Sequence, residues 1–263
     1  MAKTVGITGL VTSWGGTANT QLISGGNSPA SFSLDISGEE ADSTVLGASL
    51  VQAAYTKGMR SWSGSISAFK KTIGIGNAGS ITFSAGYTTL LRSWDVTFEA
   101  DSFESSVFGS SATTASWMEH TPGLIRVSGS FEAIVDDTTA IAMPANSSEP
   151  ATLTLTIASG ETFAFSAFTT RAAVQVATNQ LNTVGYSFRG SGNVTVAASG
   201  DKMPFDAGSS IAIPVEGELV LQAATSRTYT GNAFWKRVNV KCSPAGLVTT
   251  DIGFQGTGAL TPA

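Results

Sequence analysis

The sequence predicts an all-β protein, a sandwich or barrel carrying at most short helices, and three observations lead there. Period-two alternation or β-branched and aromatic enrichment recurs along most of the chain, turn-forming clusters punctuate it, and whole strand-like phrases are repeated. In chain order the alternating runs are "SFSLDIS" (31–37), "WSGSISAF" (62–69), "GSITFSA" (79–85), "RSWDVTFEA" (92–100) and "LIRVSGSFEAIV" (124–135). After them come "ATLTLTIA" (151–158), "ETFAFSAF" (161–168), "AAVQVAT" (172–178), "GYSFRGSG" (185–192), "GELVLQA" (217–223), "RTYTGNAF" (227–234), "KRVNVKC" (236–242) and "DIGFQGTG" (251–258). Between them stand "SGGNSP", "GIGNAG", "PANSSEP", "ASGDKMPFDAGSS" and "CSPAG", whose Gly, Pro, Asn and Ser favour turns. Helical spacing is confined to "STVLGASLVQAAYTK" (43–57), with Val45, Leu46, Ser49, Leu50 and Ala53 on one face, and "TTASWMEH" (113–120).

Repetition comes in two kinds. "TFAFSAFTTRAAVQVATNQLNTVGYSFRGSGNVT" (162–195) lies without a gap over "TYTGNAFWKRVNVKCSPAGLVTTDIGFQGTGALT" (228–261), 66 residues on. Ala167/Ala233, Phe168/Phe234, Arg171/Arg237, Val174/Val240, Phe188/Phe254, Gly190/Gly256 and Gly192/Gly258 are among the identities. Earlier, "GMRSWSGSISA" (58–68) lies over "GLIRVSGSFEA" (123–133). Upstream of these, "LDISGEEADSTVLG" (34–47) matches "WDVTFEADSFESSVFG" (94–109) once two residues are inserted. Labelling the earlier unit A and the later B divides the chain into A1 (1–78), A2 (79–146), B1 (147–204) and B2 (205–263).

Composition narrows the class of function. Only 13% of the 263 residues are charged, against roughly 25% in an ordinary soluble domain, and Ser, Thr, Gly and Ala stand in their place. A surface so poor in charge suits one that other subunits cover. The net charge of −5 argues against a usual nucleic-acid binder, which needs a basic stripe to displace counterions. No apolar run is long enough to cross a membrane as a helix, so no membrane role is expected. The start "MAKTVGITGLVTSWGG" lacks the apolar stretch of a signal peptide. A lone cysteine, Cys242, admits no internal disulfide, and its place in "RVNVKC" is an ordinary strand position.

The catalytic inventory is close to empty, and no catalytic, cofactor or metal residue is assigned. Any Ser–His–Asp or Cys–His set would need His120, the single histidine, which sits in the turn-like "WMEHTPG" and reads as a surface turn residue. Carboxylates cluster as Glu39, Glu40 and Asp42, as Asp101 and Glu104, and as Asp136 and Asp137. All read as solvated loop groups, with neither EF-hand nor zinc spacing. "GIGNAG" (74–79) joins two β runs with no helix after it, so it is no dinucleotide fingerprint.

Two stretches carry a resemblance. "WMEHTPGLIRVSGSFEAIVDD" (117–137), preceded by the acidic, Ser-rich "FEADSFESSVFGSSATTA" (98–115), resembles the first half of a siphophage-type major tail tube protein. There a Trp-bearing segment leads through Pro-Gly-Leu into a Ser-Gly-Ser strand. "FWKRVNVKCSPAGLVTTDIGFQGTGALT" (234–261) resembles the second half, an alternating strand, a Pro-containing turn and a strand ending Gly-Thr-Gly. A1 and B1 depart from the pattern: Lys57 stands where A2 has Pro122, and B1 reads Phe188-Arg189-Gly190-Ser191-Gly192. The resemblance implies two fused tail-tube-like units and a structural virion protein, not an enzyme and without cofactors. Such subunits join edge strands into rings lined by an inner β-barrel. The rings stack into the tube that conducts phage DNA without specific binding, in a virion tail assembled in the host cytoplasm. Tape measure and tail-tip or terminator proteins are the implied partners.

A family unit runs A then B, so two of each implies that three chains make a pseudo-hexameric ring. Because the order is A, A, B, B, the expected arrangement is nested, with A2 and B1 inserted between A1 and B2. The rival arrangement swaps strands so that A1 pairs with B1. An acidic chain suggests a lumen without positive charge to grip phosphates. The long connections "STVLGASLVQAAYTK" and "SSVFGSSATTASWMEH" are the candidates for ring-to-ring contact. The competing readings are a carbohydrate-binding or adhesin-like duplicated sandwich, with Trp62, Trp94 and Trp117 as possible sugar platforms, and another tail component such as a terminator or decoration protein.

Overall fold

A computed structural model describes residues 10–14, 31–42, 55–69, 80–83, 90–106, 117–135, 144, 149–158, 161–176, 182–197, 210–211, 214, 216–224, 227–242 and 248–263. These form strands and no helix. In chain order they are β1 (Leu10–Trp14), β2 (Ser31–Asp42), β3 (Tyr55–Phe69), β4 (Ser80–Phe83), β5 (Leu90–Glu104), β6 (His120–Ile134) and β7 (Ala151–Ala158). The rest are β8 (Glu161–Gln175), β9 (Thr183–Ala197), β10 (Ser210–Ile211), β11 (Gly217–Ala224), β12 (Arg227–Cys242) and β13 (Thr249–Pro262).

All strand pairings are antiparallel, along the path β2-β3-β13-β12-β5-β6-β9-β8-β7-β4. β1 and β11 extend from the first half of β12, and β10 lies on β9. The path does not close on itself. The strand that carries Gly58–Phe69 lies against the strand of Phe254, with Gly64 opposite Phe254. The strand of Phe188 lies against β6, with Gly129 opposite Phe188.

The two ends of this path repeat one register. β12 opposite β13 pairs Ala233 with Gly256 and Val240 with Thr250, and β8 opposite β9 pairs Ala167 with Gly190 and Val174 with Val184. The irregularities recur as well, between Thr230 and Asn232 as between Ala164 and Ser166, and between Trp235 and Arg237 as between Thr169 and Arg171. The left-handed glycines Gly258 (φ 67°) and Gly192 (φ 81°) also stand 66 residues apart. β2 on β3 sets Leu34 opposite Gly64, and β5 on β6 sets Val96 opposite Gly129. Leu34 therefore corresponds to Val96, not to Trp94, and the upstream match runs without the two inserted residues.

β12 changes partner along its length. The first part of β12 pairs β11 and the last part, Arg237–Cys242, pairs β5. The bulge at Trp235/Arg237 bends the strand between them, as bulges do at sandwich corners. It also slips the alternation, so that Ala233, Phe234 and Trp235 are buried in succession and Lys236 and Arg237 are exposed in succession. The core between the layers holds Trp62, Trp94, Phe98, Phe131, Phe163, Tyr186, Phe188, Trp235 and Phe254 among its aromatic side chains.

Several expectations change. Tyr55–Lys57, the end of the first helical window, begins β3; Trp117–Glu119, in the second, is extended and His120 opens β6. Residues 43–54 and 113–116 lie outside the described residues, as does "GIGNAG". The acidic stretches are not loops: Glu39, Glu40 and Asp42 lie in β2, and Asp101 and Glu104 in β5, because both hairpins continue past a bulge. Asp136 and Asp137 lie outside the described residues.

Candidate assembly surface

Alternation gives the central strands one apolar face and one polar face. On β12, Val238, Val240 and Cys242 are buried in the core while Arg237 and Lys241 are exposed, and Asn239 between them is buried against its cross-strand partner Thr97. The same parity turns Ser33, Asp35 and Ser37 of β2 outward together with Ser61, Ser63, Ser65 and Ser67 of β3. Cross-strand hydrogen bonds tie this face: Ser33–Ser65 at 2.8 Å, Ser37–Ser61 at 2.7 Å, and Ser67 Oγ donating to Asp251 at 2.6 Å. Asn239 Nδ2 donates to Thr97 Oγ1 at 2.7 Å, and Ser130 Oγ donates to Asp95. Short hydroxyl and amide side chains make the face smooth and wettable.

Its charge is balanced rather than acidic. The carboxylates Asp35, Asp95, Glu99, Glu132 and Asp251 share it with Arg126, Arg171, Arg189, Arg237 and Lys241. Some of these meet directly, Arg237 with Glu99 at 3.7 Å and, where β5 bulges, Arg126 with Asp101 at 2.6 Å. These four side chains and Lys236 line a cleft of about 490 Å³ beside the Trp235/Arg237 bulge of β12. The face therefore carries basic as well as acidic side chains, and two of its arginines, Arg126 and Arg237, are paired with carboxylates.

Among the described residues, two of the long strands carry an open edge, besides the short terminal strands β1 and β4. β2 pairs only β3, and its other edge is open along Ser31–Gly38. β8 is covered by β7 only as far as Ala167, and Glu149 accepts from the Thr169 N–H at 2.8 Å, so Arg171–Gln175 has β9 on one side and no described strand on the other. Such edges present rows of free N–H and C=O groups, which proteins normally shield. Sequence reasoning anticipated edge strands as a class but could not locate them, since an edge is defined by which strand is missing.

The residues singled out by chemistry are scattered. Cys242 is buried at the end of β12, where burial raises its thiol pKa to about 11, far from that of a reactive thiolate. Trp62 and Trp94 are core residues, which removes them as sugar platforms. Trp117 is half-buried under the Arg60 guanidinium, 5.8 Å from the ring centroid. His120 is not a surface turn residue. Its backbone N–H donates to Thr257 Oγ1 at 3.1 Å, and both ring nitrogens are buried without a hydrogen-bond partner among the described residues. Together with Met118, whose N–H donates to Arg60 and whose carbonyl accepts from Gly258, it clasps the start of β6 onto β3 and β13. No group of three or more His, Cys, Asp or Glu placed to hold a metal occurs among the described residues.

Burial holds His120 below the ordinary pKa of 6.5, against the attraction of Glu104 and with a smaller push from Lys236 in the same direction. A depressed histidine is neutral when folded, so the unfolded chain binds the extra proton first. The stability it supports is complete above pH 6.5 and declines as pH falls from there towards the folded-state value. Thermal melts from pH 7.5 to 5.0 are expected to show a declining Tm, with the decline shallower in His120→Gln. Equal slopes in the two proteins would disprove this assignment.

No protein-family model and no curated protein matches the chain.

Proposed function

We propose that the chain is the major tube subunit of a siphophage-type tail, a structural protein whose copies join into rings that stack around a DNA conduit. The observation that carries the reading is the open amphipathic sheet: one apolar face buried against a second layer, one smooth polar face, and an unpaired strand edge towards each end. A sheet with those properties is poorly soluble as a monomer's surface and well suited to closure with further copies, which removes edges altogether. In a closed ring the polar face would line the lumen. Arg126 and Arg237 are paired with Asp101 and Glu99, and the face holds as many carboxylates as basic groups, so the lumen would offer passing phosphates no continuous basic stripe.

The same reading accounts for the repeated register. We take β2-β3-β13-β12, with β11 and β1, as one family unit, and β5-β6-β9-β8, with β7 and β4, as a second nested between A1 and B2. Three such chains then supply a pseudo-hexamer. Tape measure and terminator or tip proteins would meet the tube's lumen and ends. The carbohydrate-binding alternative loses its best support with Trp62 and Trp94 in the core.

Negative-stain electron microscopy across a concentration series, with mass photometry at the dilute end, tests the reading. Rings or tubes of three-chain repeats are expected. Six-chain rings would keep the tube and remove the fused-copy arithmetic. A monomer at every concentration would overturn the assembly reading.

A further inference from the structure

Five of the six large apolar side chains exposed among the described residues occupy positions whose counterparts in the other half are buried. Ile36, Leu124, Phe168, Val174 and Val176 are 36–74% exposed. The strand registers equate them with Phe98, Met59, Phe234, Val240 and Cys242, which are 0–7% exposed. Scattered apolar residues on a surface need no explanation. A set that is covered in one half and bare in the other does, because the same fold surrounds both.

What differs is a neighbour. Val240 and Cys242 are covered where the last part of β12 pairs β5, and Phe98 is the β5 residue opposite Val238. Met59 adjoins Arg60, whose carbonyl accepts from Met118 in the clasp. Each of these contacts joins the strands of one half to the strands of the other. In the second half Phe168, Val174 and Val176 sit on or next to the open stretch of β8, and Leu124 sits on β6. In the first half, Ile36 sits on the open edge of β2. The two bare surfaces are complementary faces of one junction, and the chain contains that junction once, between β12 and β5.

We infer that the open edge of β8 in one copy pairs antiparallel with the open edge of β2 in a second copy, in the register of the internal β12–β5 junction. That junction sets Arg237 opposite Glu99, Val238 opposite Phe98, Asn239 opposite Thr97, Val240 opposite Val96, Lys241 opposite Asp95 and Cys242 opposite Trp94. Carried across, it sets Arg171 opposite Ser37, Ala172 opposite Ile36, Ala173 opposite Asp35, Val174 opposite Leu34, Gln175 opposite Ser33 and Val176 opposite Phe32. The pairing is head-to-tail, so it propagates to a closed ring or an open filament rather than stopping at a symmetric dimer. It buries Ile36, Val174 and Val176 and satisfies the open backbone groups of both edges in one step. The inference rests on the proposal that copies of this chain assemble, and it specifies the strands and the register by which they do.

Site-directed disulfides test it. Asn239 and Thr97 touch across the internal junction, so the double variant Ala173→Cys/Asp35→Cys is expected to oxidise between copies to covalent dimers and larger species. Ala173→Cys/Ser37→Cys, two residues out of register, is expected to give at least tenfold less product. Hydrogen exchange on the unmodified protein supplies a readout independent of the variants' folding. Amides of 32–37 and 171–176 should gain protection on going from dilute to assembled samples. Rings or tubes in which the out-of-register pair links as well as the in-register one, or in which neither segment gains protection, overturn this inference and leave the tube reading standing. Absence of assembly at every concentration overturns both.

Discussion

Trp62→Val and Gly231→Phe are each expected to unfold the protein or nearly so, and the two together to restore most of the stability. The Trp62 indole lies in a slot of backbone, its Nε1–H donating to the Gly258 carbonyl at 3.1 Å. A Cβ at Gly231 would come within 2.6 Å of the indole, and one at Gly256 would land inside the ring. At the corresponding positions of the other half the sizes are exchanged: Val127 stands for Trp62 and Phe165 stands for Gly231, and both are buried. One volume is thus filled from β3 in one half and from β8 in the other. Trp62→Val alone opens a cavity, at about 3–5 kcal/mol. Gly231→Phe alone drives a ring into the indole, beyond the 1–3 kcal/mol of ordinary overpacking. The double variant exchanges one filling for the other and should melt within about 2 kcal/mol of the parent, the remainder reflecting imperfect shape. Urea denaturation of the four proteins gives the coupling directly, and additive effects would refute the equivalence of the two slots. Gly256→Ala should be as damaging as Gly231→Phe, because the group it strikes is packed on every side.

That exchange shows how far the sequence could be read. Fold class was legible because period-two alternation survives in almost every strand, from "SFSLDIS" in β2 to "DIGFQGTG" in β13. Where alternation slips it misleads. β12 reads as "RTYTGNAF" and "KRVNVKC", two runs, because the Trp235/Arg237 bulge shifts the phase, and β8 divides at Thr169/Arg171 for the same reason. The end of β2 was hidden by composition, since Gly38–Asp42 is short, acidic and loop-like yet continues the hairpin beyond a bulge. The small apolar residues before Tyr55–Lys57 match a helical face and extend that pattern over it, whereas its backbone pairs with β2. The assembly surface was least legible of all. Val174 and Val240 are the same letter in the same phrase, and only the strand pairing distinguishes them.

Val174 and Val240 accordingly make the sharpest comparison. Val240→Asp is expected to abolish folding, and Val174→Asp to leave the fold intact while abolishing assembly. Val240 is fully buried between β13 and β5, opposite Thr250 and Val96. An aspartate there cannot reach water, and burying an unpaired carboxylate costs more than the whole stability of an ordinary domain allows. Val174 is half exposed on the open edge of β8, so a single copy can hydrate an aspartate with little change in Tm, within about 0.5 kcal/mol of stability. The penalty returns when Leu34 of a second copy must cover it. Analytical ultracentrifugation should then show Val174→Asp as a folded monomer at concentrations where the parent forms rings, with circular dichroism unchanged. Ile36→Asp, on the other edge, should behave as Val174→Asp does. Mixing the two variants is expected to give dimers and nothing larger: each retains one sound edge, and the sound β2 edge of one can meet the sound β8 edge of the other. Continued ring formation by either variant alone would show that the two edges do not meet, and loss of dimers in the mixture would show that they are not complementary.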